Sequence, residues 1–231
     1  EDVTTHSLEA LRKYSQANAA ADAGENLKAR DILKEAIHLD TNFAMAYRKL
    51  AAIQGNLGDN FSEQVAAARR AYELRDRLPE LERLLATADF YITVEYDPDK
   101  TIAAYRQVLD TWPDDPTAGN NITIELNIKR RYAESEAILD RQLVTSPQVG
   151  VMYVNMLDAL AMQRKLAKAD SMMAQWARAQ PTSGIRLSSA FRWAFSKGEY
   201  DRALAYADSV GTRYDPSWQR ISRHQRGVVF R

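Results

Sequence analysis

Two asparagines, Asn121 and Asn155, lie 34 positions apart in the sequence. Because they are regularly spaced, their side chains are the first candidates for residues that bind a ligand. A carboxamide donates and accepts hydrogen bonds at once, so it can hold the backbone of an extended peptide. If the chain repeats with this interval, both amides occupy the same position in neighbouring repeats. The spacing therefore indicates an asparagine ladder that holds a peptide, provided that a repeated fold carries it.

No sequence motif for catalysis or metal binding accompanies these asparagines. The sequence contains no glycine-rich phosphate loop, no paired-histidine zinc motif and no cysteine. His6, His38 and His224 are isolated in sequence, and we interpret them as surface residues. The segment 97–100 carries two aspartates but lacks the alternating ligands and the glycine of a calcium loop. We therefore predict that the protein is not an enzyme and uses no metal and no cofactor.

Regularly spaced prolines indicate the elements that would position the asparagines. Pro113, Pro147 and Pro181 follow one another at the same interval of 34, and Pro216 follows after 35. A fixed period of this length is typical of a supersecondary unit that is copied and stacked, and a period of about 34 suits a pair of antiparallel helices.

A second set of regularly spaced residues marks the turn between the two helices of each pair. Its members follow one another at steps of 34, 38, 34, 34 and 34 in sequence number: Gly24, Gly58, Tyr96, Arg130, Arg164 and Gly198. Glycine suits this turn because it reaches positive φ without a Cβ clash. The one longer step indicates a short insertion near residues 75–79.

These patterns predict six helix pairs and one last helix, which stack into a single domain because each pair buries its apolar face only against its neighbours. The predicted units are 7–41, 42–79, 80–114, 115–148, 149–182 and 183–216, followed by a capping helix and tail at 217–231. The second helices carry apolar stripes, among them Leu166, Ala169, Met172, Met173 and Trp176, and Tyr200, Ala203, Leu204, Ala207 and Val210.

Two other structures fit the sequence less well. The segment 149–154 has the composition of a strand, but the period assigns it to the start of a helix. A long coiled coil would be broken by the glycines and prolines that recur once in every repeat.

The composition narrows the class of partner. The chain of 231 residues has 31 basic and 31 acidic residues, so its net charge is zero. This balance gives no electrostatic case for nucleic acid or an anionic membrane as the main partner, although a local charged patch remains open. No run approaches the roughly 18 apolar residues that span a membrane. The first residue, Glu1, is not methionine, and we expect the chain to be part of a longer protein.

Together these features resemble the tetratricopeptide repeat family over about 7–216. The fifth unit carries the family pattern most fully, as Tyr153, Met156, Leu157, Leu160, Ala169, Met173, Trp176 and Pro181. The resemblance implies an all-α, right-handed superhelical solenoid of about six antiparallel helix pairs plus a C-terminal helix. The segments 7–14 and 71–85 are similar to the arrays of multidomain bacterial signalling proteins, such as eukaryotic-like serine/threonine kinases and winged-helix regulators.

Three positions depart from the family pattern, because Asp89, Leu157 and Phe191 stand where a small residue normally permits close helix contact. Either those helix pairs splay apart, or the register shifts by one and Ala88 or Ala190 takes the small position.

The resemblance also implies a concave groove lined by the first helices. The candidate groove residues are Tyr14, Asn18, Arg48, Lys49, Phe90, Asn120, Asn121, Asn127, Asn155, Asp158 and Arg192. We expect a non-enzymatic module that binds a peptide segment or a partner domain there. The lysine, asparagine and arginine clamp with which some members hold a C-terminal carboxylate is not expected, since Arg48, Lys49 and Asn121 are wrongly spaced for it.

Other functions stay open at this point. The chain could be the regulatory, sensor or dimerisation region of a larger signalling protein, with an apolar patch near Trp218 and Ile221 as the contact. RNA binding is a remote alternative, because such repeats favour a period of about 35 and a basic groove. The lack of cysteine fits a cytoplasmic protein, and the extracytoplasmic side of a bacterial envelope is the alternative if the parent chain spans a membrane.

Overall fold

The computed structural model describes residues 5–213 and 216–229, and over these residues the chain is all-α with no strand, as predicted. Its helices are α1 (Leu8–Asp22), α2 (Asn26–Leu39), α3 (Ala44–Leu57), α4 (Phe61–Glu73), α5 (Glu80–Phe90), α6 (Pro98–Thr111), α7 (Pro116–Ile128), α8 (Tyr132–Thr145), α9 (Gly150–Met162), α10 (Leu166–Ala179), α11 (Gly184–Ser196), α12 (Tyr200–Arg213) and α13 (Pro216–Val229). Of the residues 149–154, Val149 is the N-cap of α9 and 150–154 form its first turns, so the segment is not a strand.

Several helices begin at a side chain that caps them. The Ser7 hydroxyl accepts a hydrogen bond from the Ala10 amide, and the Asp115 carboxylate accepts one from the Ala118 amide at 2.7 Å. These bonds satisfy backbone donors that a helix start leaves without partners. Pro98 occupies the first turn of α6, where its missing N–H costs nothing.

The predicted turn positions are confirmed by their backbone conformation. Positive φ angles occur at 80° in Gly24, 65° in Gly58, 54° in Tyr96, 59° in Arg130, 58° in Arg164 and 75° in Gly198. Each of these residues separates an odd-numbered helix from the following even-numbered helix, so the repeat imposes the left-handed conformation even where no glycine is present.

Replacing Arg130 and Arg164 together by glycine is expected to stabilise the protein. Both arginines have exposed side chains, and a non-glycine residue in the left-handed region costs roughly 1 kcal/mol. The double variant should therefore gain about 1–2 kcal/mol in the free energy of unfolding, measured by urea denaturation. The matched control is Arg141→Gly inside α8, which should destabilise; a loss of stability in the turn variant would contradict the assigned strain.

The irregular repeat lies where the longer step predicts it. A single 3₁₀ turn, Arg75–Arg77, follows α4 and fills the insertion before Pro79. A π-helical turn, Tyr91–Glu95, then follows α5. The second and third pairs therefore differ in length from the others without losing the turn at Tyr96.

The chain divides into two compact units, unit 1 up to Pro113 and unit 2 from Asp114 onward. The repeat boundaries within them stay a prediction. In unit 1, α1 packs on α2, α2 on α3 and α3 on α4. Its largest core cluster is rich in fully buried small side chains, which permit close helix contact, and includes Ala10, Ala17, Ala29, Leu33, Ala36, Phe43 and Ala46.

The core of unit 2 is centred on two stacked rings. Tyr153 of α9 and Trp176 of α10 are both fully buried, with ring centroids 4.9 Å apart and planes 4° from parallel. Ala169 and Met172 are buried beside them as predicted. Leu166 and Tyr200, predicted to belong to the apolar stripes, are instead 50% and 53% exposed. Each is the first residue of its helix, where the chain is still leaving the turn.

The burial of each side chain shows how the structure accommodates the three positions that depart from the family pattern. Ala88 is fully buried, whereas the neighbouring Asp89 is only half-buried, which favours the shifted register in α5. In α11, Ala190 and Phe191 are both buried, so the bulky ring is accommodated inside unit 2. Leu157 is likewise buried in the core of that unit.

The last helix docks through a close approach. A Cβ atom on Gly211 of α12 would lie 2.6 Å from the Ser222 hydroxyl oxygen, and that hydroxyl donates to the Ala207 carbonyl at 2.7 Å. α13 begins at Pro216, one residue before the predicted start. Ile221 is exposed, while the Trp218 side chain lies outside the described residues. Among the described helices, none is both long and apolar enough to cross a bilayer.

Candidate functional site

In unit 2 the first helices of successive pairs contact one another directly, α7 with α9 and α9 with α11, and we call the face that these three helices share the inner face. On each helix three positions follow one another at spacings of four and three. The same positions recur on the next of these helices at the interval that separates Asn121 from Asn155, with residue types that differ from helix to helix. We define the inner-face surface by these residues: Thr117, Asn121 and Ile124; Val151, Asn155 and Asp158; Ile185, Ser189 and Arg192. All except Ser189 retain exposure to solvent.

The middle of this surface is a carboxamide network that joins α7 to α9. The Asn155 amide donates to the Asn120 side-chain oxygen at 3.0 Å and to the Thr123 hydroxyl at 3.3 Å. The Asn127 amide donates to the Asn155 backbone carbonyl at 3.0 Å. Asn120 also donates to the Asn121 side-chain oxygen at 3.0 Å.

The asparagines predicted to hold a ligand are therefore also used within the protein. Asn155 donates its amide hydrogens to α7, so its main contribution is to hold the two inner helices in register. The Asn127 side-chain oxygen is buried and has no hydrogen-bond partner in the structure. Because this oxygen has no exposed surface, the carbonyl side of Asn127 belongs to the interior of the network and not to the surface that a partner can contact.

Apolar side chains flank this network. Ile124, Val151 and Ile185 are 36%, 43% and 40% exposed. Sequence reasoning missed all three, although Val151 and Ile185 are spaced as the repeat requires, which is the signal that could have identified them. Together they give the inner-face surface both apolar contacts and hydrogen-bonding groups.

Asp158 and Arg192, both predicted groove residues, lie on neighbouring inner helices with exposed side chains. The Arg192 guanidinium donates a long hydrogen bond of 3.4 Å to the Ser189 hydroxyl. Desolvation raises the pKa of Asp158, and the nearby charge of Arg192 opposes this rise. The pair places one charge of each sign at the same level of the surface.

In unit 1, Arg48 is committed to an internal ion cluster. Its guanidinium lies 2.8 Å from a Glu82 carboxylate oxygen and 3.4 Å from one of Asp89, and Asp89 accepts a hydrogen bond from the Tyr105 hydroxyl at 2.9 Å. Burial raises the pKa of Asp89, while Arg48 and Tyr105 lower it. Asp89 thus binds α3 and α6 to α5, which explains the acidic residue at this position.

The remaining candidates in unit 1 do not converge on one site. Tyr14 packs on the Phe43 ring at 5.2 Å and joins the core, and Asn18 has a buried side-chain oxygen without a hydrogen-bond partner. Phe90 stacks on Tyr72 of α4 at 4.1 Å, in contact with the preceding helix pair. Lys49 is half-buried.

The described part of the chain contains no group of three or more histidine or acidic side chains that could hold a metal ion. It is the inner-face surface of unit 2 that combines matched helices, exposed apolar side chains and amides. We take this surface as the candidate site.

No protein-family model and no curated protein matches the chain by sequence. By structure, the chain is similar to PilW, described as a widely conserved type IV pilus biogenesis factor, with a TM-score of 0.67 and 18% identity over 93% of this chain and 99% of that one.

Two further solved structures have the same architecture. A tetratricopeptide repeat protein from Parabacteroides merdae gives a TM-score of 0.61 and 16% identity over 96% of this chain and 86% of that one. Pseudomonas aeruginosa pilF gives a TM-score of 0.59 and 14% identity over 94% of this chain and 97% of that one. The closer resemblance to signalling proteins stays a prediction. The likeness to these structures and the six positive-φ turns together show that the chain has the fold of a tetratricopeptide repeat array.

Proposed function

We propose that this protein is a non-enzymatic interaction module that binds an extended segment of a partner protein on the inner-face surface of unit 2. The observation that carries the proposal is the set of equivalent positions on α7, α9 and α11 at which exposed apolar side chains lie beside a carboxamide network. A repeated surface of this kind suits a ligand that is itself repetitive, as an extended backbone is.

The chemistry of the surface suggests how the segment is held. Aliphatic side chains of the partner would pack on Ile124, Val151 and Ile185, since burying apolar area contributes about 25 cal/mol per Å². Affinity for such a short segment is expected in the micromolar range, on the order of −8 kcal/mol.

The proposal is tested by selecting random peptides displayed on phage against the purified protein. The wild type should enrich peptides with spaced aliphatic residues. The variant Val151→Glu with Ile185→Glu should bind the enriched peptides about tenfold more weakly or worse, because it places carboxylates against apolar side chains.

The control for this test is Val144→Glu on α8, where the side chain is 77% exposed and lies off the inner-face surface. It should bind the enriched peptides as the wild type does. Failure to enrich any peptide, or an equal loss of binding in the Val144→Glu control, would contradict the proposed site. Circular dichroism of each variant separates loss of binding from loss of fold.

A further inference from the structure

The turns between odd-numbered and even-numbered helices form an edge in each unit. In unit 1 the rings of Phe61 and Tyr96, from successive turns, approach to 6.1 Å between centroids. In unit 2, Lys165 of one turn lies 2.6 Å from Glu136 of the preceding helix pair. We define the unit 1 edge as residues 22–28, 56–62 and 94–100, and the unit 2 edge as residues 128–134, 162–168 and 196–202.

The two edges carry opposite charge although the whole chain is neutral. The unit 1 edge contains six acidic and two basic residues, a net charge of −4. The unit 2 edge contains eight basic and three acidic residues, a net charge of +5. The zero net charge of the chain therefore hides a separation of charge between its halves.

Ion pairs with neighbouring helices reduce these charges but do not change their sign. Arg30 pairs with Asp59 of the unit 1 edge, and Glu136, Asp140 and Asp170 pair with lysines of the unit 2 edge. Including these partners, the net charges become −3 and +2.

Four charged residues on the two edges stand out because no ion pair involves them within the described residues. Asp22 lies on the unit 1 edge, whereas Arg130, Arg164 and Asp201 lie on the unit 2 edge, and all four side chains are exposed. These unpaired charges sum to a negative value on the unit 1 edge and to a positive value on the unit 2 edge, so they have the same signs as the edges themselves.

Both edges also expose large apolar side chains beside these charges. Half of the fourteen large hydrophobic side chains exposed among the described residues belong to the two edges. They are Leu27 (57%), Phe61 (55%) and Tyr96 (62%) in unit 1, and Ile128 (65%), Met162 (61%), Leu166 (50%) and Tyr200 (53%) in unit 2. Solvation alone does not account for such a concentration, and exposed apolar clusters mark interaction sites.

We propose that the unit 1 edge of one molecule docks against the unit 2 edge of a second copy of this chain. The net charges of the edges are opposite and similar in size, which favours this pairing and disfavours contact between like edges. Each edge is built from three segments of seven residues, which together match the roughly 20–30 residues on one side of a stable interface. The exposed apolar side chains of both edges would be buried together at the contact.

The test uses multi-angle light scattering and sedimentation velocity on the purified chain. The wild type should have a mass above the 26.2 kDa of one chain at low salt. The mass should fall towards that value as salt shortens the screening length to about 3 Å at 1 M. A mass of one chain at every concentration and salt would overturn the proposal.

Two charge-reversal variants and their mixture make the test specific. Arg130→Glu with Arg164→Glu weakens the unit 2 edge, and Asp22→Lys with Glu25→Lys weakens the unit 1 edge. Each variant alone should self-associate about tenfold more weakly or worse. Mixed together, they should associate again, because the first keeps an intact acidic edge and the second an intact basic edge. Misfolding cannot produce this recovery.

The matched control is Arg12→Glu with Arg178→Glu, which makes the same charge change at exposed positions outside both edges. It should associate as the wild type does. Loss of association in this control, or a mixture of the two variants that stays monomeric, would show that the edges do not pair. Sedimentation with vesicles of phosphatidylcholine and phosphatidylserine is the second arm: a monomer that binds them through Arg130 and Arg164 would assign the basic edge to a lipid surface and overturn pairing.

Discussion

Replacing Trp176 by alanine is expected to lower the free energy of unfolding of unit 2 by about 4 kcal/mol, because truncating a buried tryptophan removes its packing and leaves a cavity. Trp176 is fully buried and stacks on Tyr153. Its ring lies 3.7 Å from the Cβ position of Gly150, an ordinary van der Waals distance, so the ring also packs against the start of α9. Urea denaturation followed by circular dichroism measures the effect.

Two further variants distinguish packing from other causes. The Trp176 indole N–H is buried without a hydrogen-bond partner, so Trp176→Phe, which keeps a ring against Tyr153, should cost less than about half of the alanine effect. Trp193→Ala removes a half-exposed indole from α11 and should cost only about 1–2 kcal/mol. An alanine effect at Trp176 no larger than that at Trp193 would show that the stacked pair does not organise the core.

The sequence predicts the turns well because backbone geometry at a turn is a local property. Gly24, Gly58 and Gly198 indicate the turn by their residue type. For Arg130 and Arg164, which adopt the same conformation, only the repeat period predicts it. A helix pair of constant length must reverse direction at the same position in each repeat, so the spacing predicts a positive φ that the residue type does not favour.

The repeat period does not predict which contacts the polar side chains make. The phase of Asn155 predicts the face of α9 on which it lies, but not that its amide reaches Asn120 and Thr123 on α7. Similarly, the phase of Arg48 does not reveal that Glu82 and Asp89 neutralise it. The position of a residue along a helix predicts the direction in which its side chain points. Whether that side chain forms a hydrogen bond also depends on the distance between two helices, which is set by the side chains packed between them.

The spacing of apolar residues also does not predict how exposed a side chain is at the start of a helix. Leu166 and Tyr200 fit apolar stripes at helical spacing, yet both are about half exposed. An apolar residue in the first turn of a second helix is only partly covered: the Tyr200 ring lies 5.5 Å from that of Phe195 between centroids, yet half of the Tyr200 side chain stays exposed. Such residues are the ones that a second molecule can cover, and the charges beside them determine which surface does so.

Replacing Glu136 by glutamine is expected to destabilise unit 2 by about 3 kcal/mol at neutral pH. The Glu136 carboxylate is 9% exposed and accepts hydrogen bonds from Lys165 at 2.6 Å, Lys168 at 2.9 Å and Gln163 at 2.7 Å. Although burial raises the pKa of Glu136, these three donors outweigh it and lower the pKa from 4.5 to about 2. Each pKa unit corresponds to about 1.4 kcal/mol, which sets the size of the effect.

The stabilisation by Glu136 is expected to depend on pH, and the direction of its pKa shift determines how. Because the pKa of Glu136 is lower in the folded state than in the unfolded state, its stabilisation is complete above the ordinary value of 4.5 and is lost as pH falls towards 2. Urea denaturation of wild type and Glu136→Gln should therefore show a constant difference from pH 7 to pH 5 and a shrinking one below it.

Glu125 provides the matched control for Glu136, because it is a second buried glutamate of unit 2 with the opposite shift. Glu125 is 6% exposed, and burial raises its pKa, so its charged form is disfavoured in the folded state. Glu125→Gln should therefore leave the stability at neutral pH unchanged or increase it by up to about 1 kcal/mol. Equal losses in the two variants would mean that the lysines around Glu136 contribute nothing beyond ordinary burial.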